Sequence, residues 1–126
     1  MSDRNVDSLA KEMKWMSFAK DQVIFAEGDK ADRAYVIAKG SVLITKQSNG
    51  KAMVLTKMVK NQIFGEMALV NGTARSASAI AAEPTDLLII TAEQFKAKMG
   101  NLDIFMKFLV NHLMARIFDL SVKVIE

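Results

Sequence analysis

The sequence has no cysteine, and only one histidine and one proline. Without thiols there is neither a disulfide framework nor a cysteine nucleophile, and the composition fits a reducing cytosol. The single histidine, His112, leaves too few imidazoles for a cupin-type metal centre, which draws several histidines from its strands. No metal-ligand cluster and no Ser-His-Asp arrangement can be assembled, so no metal and no enzymatic activity are expected. Long apolar runs are missing as well. Nothing approaches the roughly 18 residues of a membrane span, and no hydrophobic stretch follows Met1-Ser2-Asp3-Arg4-Asn5, so neither a span nor a signal peptide is expected. Seventeen basic residues stand against fourteen acidic ones, a net charge of +3. They form no basic block interleaved with aromatics, so charge does not point to nucleic acid. A soluble, cytoplasmic chain is the expectation.

What is present is a globular composition, 51% hydrophobic and 25% charged over 126 residues, enough for one domain spanning 1–126 with its own core. Leu9, Met13 and Met16 recur at helical spacing, and Asp7 can cap, which predicts a helix over about 7–16 packed through Trp15 and Met16. From about 17 to 91 the pattern is short strands between turns. Val23-Ile24-Phe25, Ala34–Ala38, Val42–Ile44, Ala52–Leu55, Ser76–Ala81 and Asp86–Ile90 read as strands. Asn49-Gly50 is the signature of a tight hairpin turn. Such spacing predicts a roll or sandwich, and the lack of βαβ alternation excludes a Rossmann-type fold. The remainder, about 92–124, reads as two helices. Thr91 with Gln94 has capping-box spacing, Gly100-Asn101 marks a stop, and a longer helix starts near Leu102. On that helix Asp103, Lys107 and Asn111 form one polar stripe, and His112, Arg116, Asp119 and Lys123 another. The helix is expected either to bend or to pass onto a partner; an untidy polar face on a terminal helix is the plainer alternative.

The stretch from Phe64 to Ala77 carries the chemistry. Gly65 and Glu66 precede Met67-Ala68-Leu69, which can form one helical turn. Free N–H groups at a helix start cradle an anionic oxygen, and glycine permits close approach. Arg75 offers a forked donor to phosphate, and an ionised Glu66 suits two ribose hydroxyls as acceptor. Singly, Glu66 would be helix-start decoration and Arg75 a surface charge. At this spacing among strands, the pair suits one small nucleotide.

Phe64-Gly65-Glu66-Met67-Ala68-Leu69 and Arg75-Ser76-Ala77 together resemble the phosphate-binding cassette of cyclic nucleotide-binding domains. Ile24-Phe25-Ala26-Glu27-Gly28-Asp29, Tyr35-Val36-Ile37 and Gly40-Ser41-Val42 look like the family's early strands, so the resemblance covers about 23–95. It implies a mainly β fold with flanking helices: an eight-stranded β-roll of jelly-roll type, one N-terminal helix and two C-terminal helices. Glu66 would hold the ribose 2′-hydroxyl and Arg75 the cyclic phosphate, with N–H groups of Gly65, Ala68 and Ala77 adding donors. Met67 and Ser76 complete the cassette. The last helix would cover the purine, with His112 and Arg116 as candidate lid residues. In this family the domain senses its nucleotide without breaking a bond in it.

Two departures bear on the reading. Many members carry Gly-Asp ahead of the cassette, where this chain has Asn61-Gln62. Asparagine tolerates a left-handed backbone, so the turn is expected to persist. No winged-helix or helix-turn-helix segment follows the last helix, so direct DNA binding is not expected. Threonine after the arginine is common in cyclic GMP-selective relatives and alanine in many cyclic AMP-binding ones. The hydroxyl of Ser76 fits phosphate or guanine, leaving cyclic AMP as the expected ligand and cyclic GMP as the competitor. The equivalent of the last helix dimerises in the catabolite activator class, which makes a homodimer one expected assembly. The alternatives are a structural or dimerisation module that has lost ligand response, and the sensory fragment of a longer transcription factor or channel.

Overall fold

The computed structural model describes the backbone of residues 6–125 and the side chains of residues 6–116. The chain divides into two compact units, one running to Ala92 and one from Glu93. In the first, α1 (Val6–Leu9) precedes β1 (Lys14–Phe18), β2 (Val23–Phe25), β3 (Arg33–Lys39), β4 (Ser41–Ser48), β5 (Lys51–Val59) and β6 (Ile63–Phe64). A short helix α2 (Glu66–Asn71) follows, then β7 (Ser78–Ala81) and β8 (Thr85–Thr91). The strands form two antiparallel sheets ordered β1-β8-β3-β6 and β2-β7-β4-β5. This is the eight-stranded roll that the family resemblance implied.

The central strands β3 and β8 are covered on both faces, which is why they read as continuous apolar runs and not as alternations. Tyr35, Ile37, Leu87 and Ile89 join Phe18, Val42, Phe64, Ala79 and Ala81 in the main core. Val36, Ala38 and Leu88 form a second cluster with Val6, packed by Ala10 and Met13. Ile37, Leu87, Leu88 and Val42 are fully buried, and each such side chain contributes about 1.5–3 kcal/mol.

The expected N-terminal helix over 7–16 is corrected here. Helical hydrogen bonding ends with Met13 N–H donating to the Leu9 carbonyl at 3.1 Å. Lys14, Trp15 and Met16 then pair with Ile89, Leu88 and Leu87 on β8. Trp15 and Met16 are half-exposed, and Val6, Ala10 and Met13 do the packing instead. The 3.6-residue spacing was real, but an open ladder edge on β8 outweighs a weak local helix preference. The roll therefore begins at Lys14.

Asn49 and Gly50 both have positive φ (52° and 79°), as a two-residue hairpin turn between β4 and β5 requires. Asn61 also lies in the left-handed region, at φ 74°, so the turn ahead of the cassette is kept. Its N–H donates to the Ile37 carbonyl at 2.9 Å, and its side-chain Oδ1 accepts from Val6 N–H at 3.0 Å. One side chain thus ties α1 to the cassette's leading turn.

In the second unit, α3 (Ala92–Gly100) starts after Thr91 and ends at the expected glycine, and α4 (Ile104–Ile125) is one uninterrupted helix. The later helix starts at Ile104 because Asp103 caps it, Oδ1 accepting from Met106 N–H at 2.8 Å. Of the two polar stripes, the Asp119 and Lys123 side chains lie outside the described residues. Among the described residues no helix is long and apolar enough to cross a membrane.

Asn61→Ala should destabilise the fold by about 1–3 kcal/mol, combining left-handed strain with a lost hydrogen bond. Asn61→Gly, which removes only the bond, should lose less. Urea denaturation measures both, and an Asn61→Ala variant as stable as wild type would contradict the dual role.

Candidate functional site

The cassette is shaped by its backbone first. Gly65 sits at the N-cap of α2 with φ 79°, and Gly72 ends the helix with φ 66°. No side chain caps α2 from Gly65, but the backbone N–H groups of Glu66 and Met67 favour the ionised form of the Glu66 carboxyl. At the other end, Thr73 N–H donates to the Ala68 carbonyl at 3.1 Å and turns the chain towards Arg75.

Arg75 is pinned by its main chain to the loop after β2. Its N–H donates to the Asp29 carbonyl and its carbonyl accepts from Gly28 N–H, both at 2.8 Å. The side chain turns inward and is only 4% exposed. Nη1 donates to the Gly65 carbonyl at 2.6 Å, and Nη2 donates to the Arg33 carbonyl on β3. The guanidinium carbon lies 4.0 Å over the Phe25 ring, while Nε is buried with no partner among the described residues. Gly65 is required by space as well as by φ, since a Cβ there would come within 2.8 Å of Arg75 Nη1.

Burial pulls the Arg75 guanidinium below its ordinary pKa; Tyr35, Asp32 and Asp29 push it back up, and Arg33 adds a smaller pull down. Burial also raises the Glu66 carboxyl, opposed by the two backbone N–H groups and by Arg75. An acceptor-only carboxylate and a buried cation thus share one short stretch, each held where its charge is costly.

Ser76 is exposed and Ala77 is buried. The Ser76 carbonyl accepts from Lys46 Nζ at 2.8 Å, and Lys46 stands 3.6 Å from Glu27. Glu27 N–H donates to Ser78 Oγ at 2.8 Å, and Glu27 Oε1 accepts from Gln47 N–H at 3.2 Å. This clasp joins β4, β7 and the end of β2 beside the cassette. Gly65, Glu66, Met67, Ala68, Arg75, Ser76 and Ala77 therefore all belong to the roll unit. His112 and Arg116 are on α4 in the second unit, where the His112 ring lies parallel to Phe108 with centroids 6.4 Å apart. Sequence reasoning missed Phe25, the Arg33 and Asp29 carbonyls, and Lys46 as parts of the site. Only the Ile24–Asp29 stretch hinted at them, and it gives no sign of which group each touches. Among the described residues, no three His, Cys, Asp or Glu side chains are grouped to hold a metal.

The raised Glu66 carboxyl has a pH consequence. Folding favours its protonated form, so its contribution to stability is full below the ordinary value of 4.5 and is lost as pH rises through the folded-state pKa. Glu66→Gln should therefore gain in melting temperature relative to wild type at pH 7, with the gain shrinking as pH falls through the raised folded-state value and gone by about pH 4.5. A difference that does not change with pH would contradict the burial effect.

The sequence profile of the cyclic nucleotide-binding domain matches residues 15–101. The chain is 30% identical over 99 residues to cGMP-dependent protein kinase 2 of Mus musculus, covering 76% of this chain and 13% of the kinase. It is 34% identical over 86 residues to the cyclic AMP receptor protein of Thermus thermophilus, covering 68% of this chain and 40% of the receptor. It therefore spans well under two thirds of either relative. Among solved structures, the cAMP-bound form of the EAL enzyme Bd1971 is similar at a TM-score of 0.73 and 36% identity, covering 88% of this chain and 30% of that one. Its cGMP-bound form is similar at the same TM-score, 0.73, and 36% identity, over 87% and 30%. With the cassette in place and a profile match across most of the roll, the chain belongs to the cyclic nucleotide-binding domain family.

Proposed function

We propose that this chain is a cyclic nucleotide sensor, with cyclic AMP as its ligand and no chemistry performed on it. The observation that carries this reading is Arg75: a buried guanidinium with an unpartnered Nε. Leaving a buried donor unmade costs about 1–3 kcal/mol, and an anionic oxygen is the partner it lacks. The Gly65 and Arg33 carbonyls engage Nη1 and Nη2. A guanidinium has five N–H donors, so Nε–H and further terminal donors remain for a phosphate. Glu66, half-buried and nine residues earlier in the chain, would accept the ribose hydroxyls, and N–H groups of Gly65, Ala68 and Ala77 would add donors. Ser76 would touch the phosphate.

Output would run through α4. His112 and Arg116, one turn apart on the helix, are the candidate residues to cover the purine, and the same helix is the candidate dimerisation surface. A ligand shifts only states that it binds unequally, so α4 must meet nucleotide or partner differently in the two states.

Calorimetry with cyclic AMP and cyclic GMP on wild type and Arg75→Ala checks the site, with circular dichroism to confirm folding. Wild type should bind cyclic AMP the more tightly, and Arg75→Ala should lose about 2–5 kcal/mol. Binding of neither nucleotide to wild type would overturn the sensor and favour a structural or dimerisation module. Undiminished binding by Arg75→Ala would overturn the phosphate assignment.

A further inference from the structure

The guanidinium of Arg75 is fixed from three directions, and only two of them are hydrogen bonds. Gly65 and Arg33 carbonyls hold its edge; the third contact is the face of Phe25, 4.0 Å away. That ring is itself braced. It lies 6.0 Å from the Tyr35 ring and 6.1 Å from the Phe64 ring, and those two stack on each other at 5.2 Å. The three aromatics come from β2, β3 and β6, so the surface under the cation is set by three separate strands. Phe64 and Tyr35 are core residues, and Phe25 packs against that core while its face meets the charge.

A carbonyl pair fixes two points of a planar group but still lets the plane tilt about the line joining them. A ring against one face removes that freedom. It also returns electrostatic stabilisation to a cation that has lost water, without occupying any N–H. The donors that remain, Nε–H among them, are therefore held in one plane.

We infer that Phe25 is a positioning residue for anion recognition: its ring orients the Arg75 guanidinium so that the free donors meet a cyclic phosphate as a preformed fork. This rests on the assignment of Arg75 to the phosphate. A cation over an aromatic face contributes an amount that corresponds to about 2- to 30-fold in affinity. Phe25 thus does not touch the nucleotide and acts through Arg75.

The test is cyclic AMP titration of the full chain as wild type, Phe25→Leu and Phe25→Tyr, each also in an Arg75→Gln background, with melting temperatures recorded in parallel. Phe25→Leu should weaken binding about 2- to 30-fold when Arg75 is present and have little effect when Arg75 is Gln. Phe25→Tyr, which keeps the ring face, should retain wild-type affinity. A ring-fluorinated phenylalanine at position 25 preserves packing while weakening the face, so it gives the same reading should Phe25→Leu fail to fold; its affinity should fall as fluorines are added. Equal affinity across the Phe25 series would overturn the positioning role and leave the phosphate assignment standing. So would a loss of the same size in both Arg75 backgrounds, which would mark simple packing. If wild type binds no cyclic nucleotide, the sensor reading fails, and the positioning role with it.

Discussion

Burying the Arg75 guanidinium withdraws a charge from water, and an ion moved into a protein interior costs several kcal/mol unless partners replace its solvent. In the roll the replacement is made of backbone carbonyls and one aromatic face, with no carboxylate of the described residues in direct contact. That choice propagates outwards. The Gly65 carbonyl can point at the cation only because its residue is left-handed and has no Cβ. The left-handed residue in turn starts α2, which brings Glu66 to the same place. The loop from Gly28 to Asp29 has to lie against Arg75 to fix its main chain. Arg75 therefore ties together two segments that are distant in sequence, the loop at Gly28-Asp29 and the stretch from Gly65 into α2.

The geometry around that cation was partly legible in the sequence and partly not. Asn49-Gly50 and Asn61 could be read because each solves a local problem, positive φ, which the residue type announces by itself. The cassette could be read because its residues sit close together in the chain. Phe25 could not, since its role depends on meeting a residue fifty positions away, and nothing in a β-strand phenylalanine distinguishes a face that packs from one that carries charge. The segment Lys14–Phe18 misled for a related reason. Its apolar spacing satisfies a helix as well as it satisfies a strand edge, and only the vacant side of β8 decides between them. The Asp103 cap is within reach of the same reasoning, being an aspartate just before an apolar run, but it also falls on the polar stripe with Lys107 and Asn111, which hides it.

The second cluster, under α1, shows how the fold settles a strand buried on both sides. Val36, Ala38 and Leu88 would present an apolar face to water if Val6, Ala10 and Met13 did not cover it. The one helix in the covering segment, which holds Val6, is only four residues long, too short to be stable alone. It is held by burial of Val6 and by the bond from its N–H to Asn61. Cover for the core and support for the cassette's leading turn are therefore one arrangement.

The outermost strand of the other sheet raises a different matter, which is how the molecule avoids its own kind. Among the described residues β5 pairs only with β4, and its other side runs for nine residues through Met53, Val54 and Leu55, all half-exposed. A long, flat, apolar edge is a template for another chain and a seed for aggregation. This edge is not flat. Ile44 faces Thr56 while Thr45 faces Val54, so Leu55 is an extra residue that breaks the ladder with a bulge. Lys51 and Lys57 place charge on either side of the apolar stretch. A second copy would meet a kinked rail there with a lysine on either side of its apolar stretch, which works against edge-to-edge pairing.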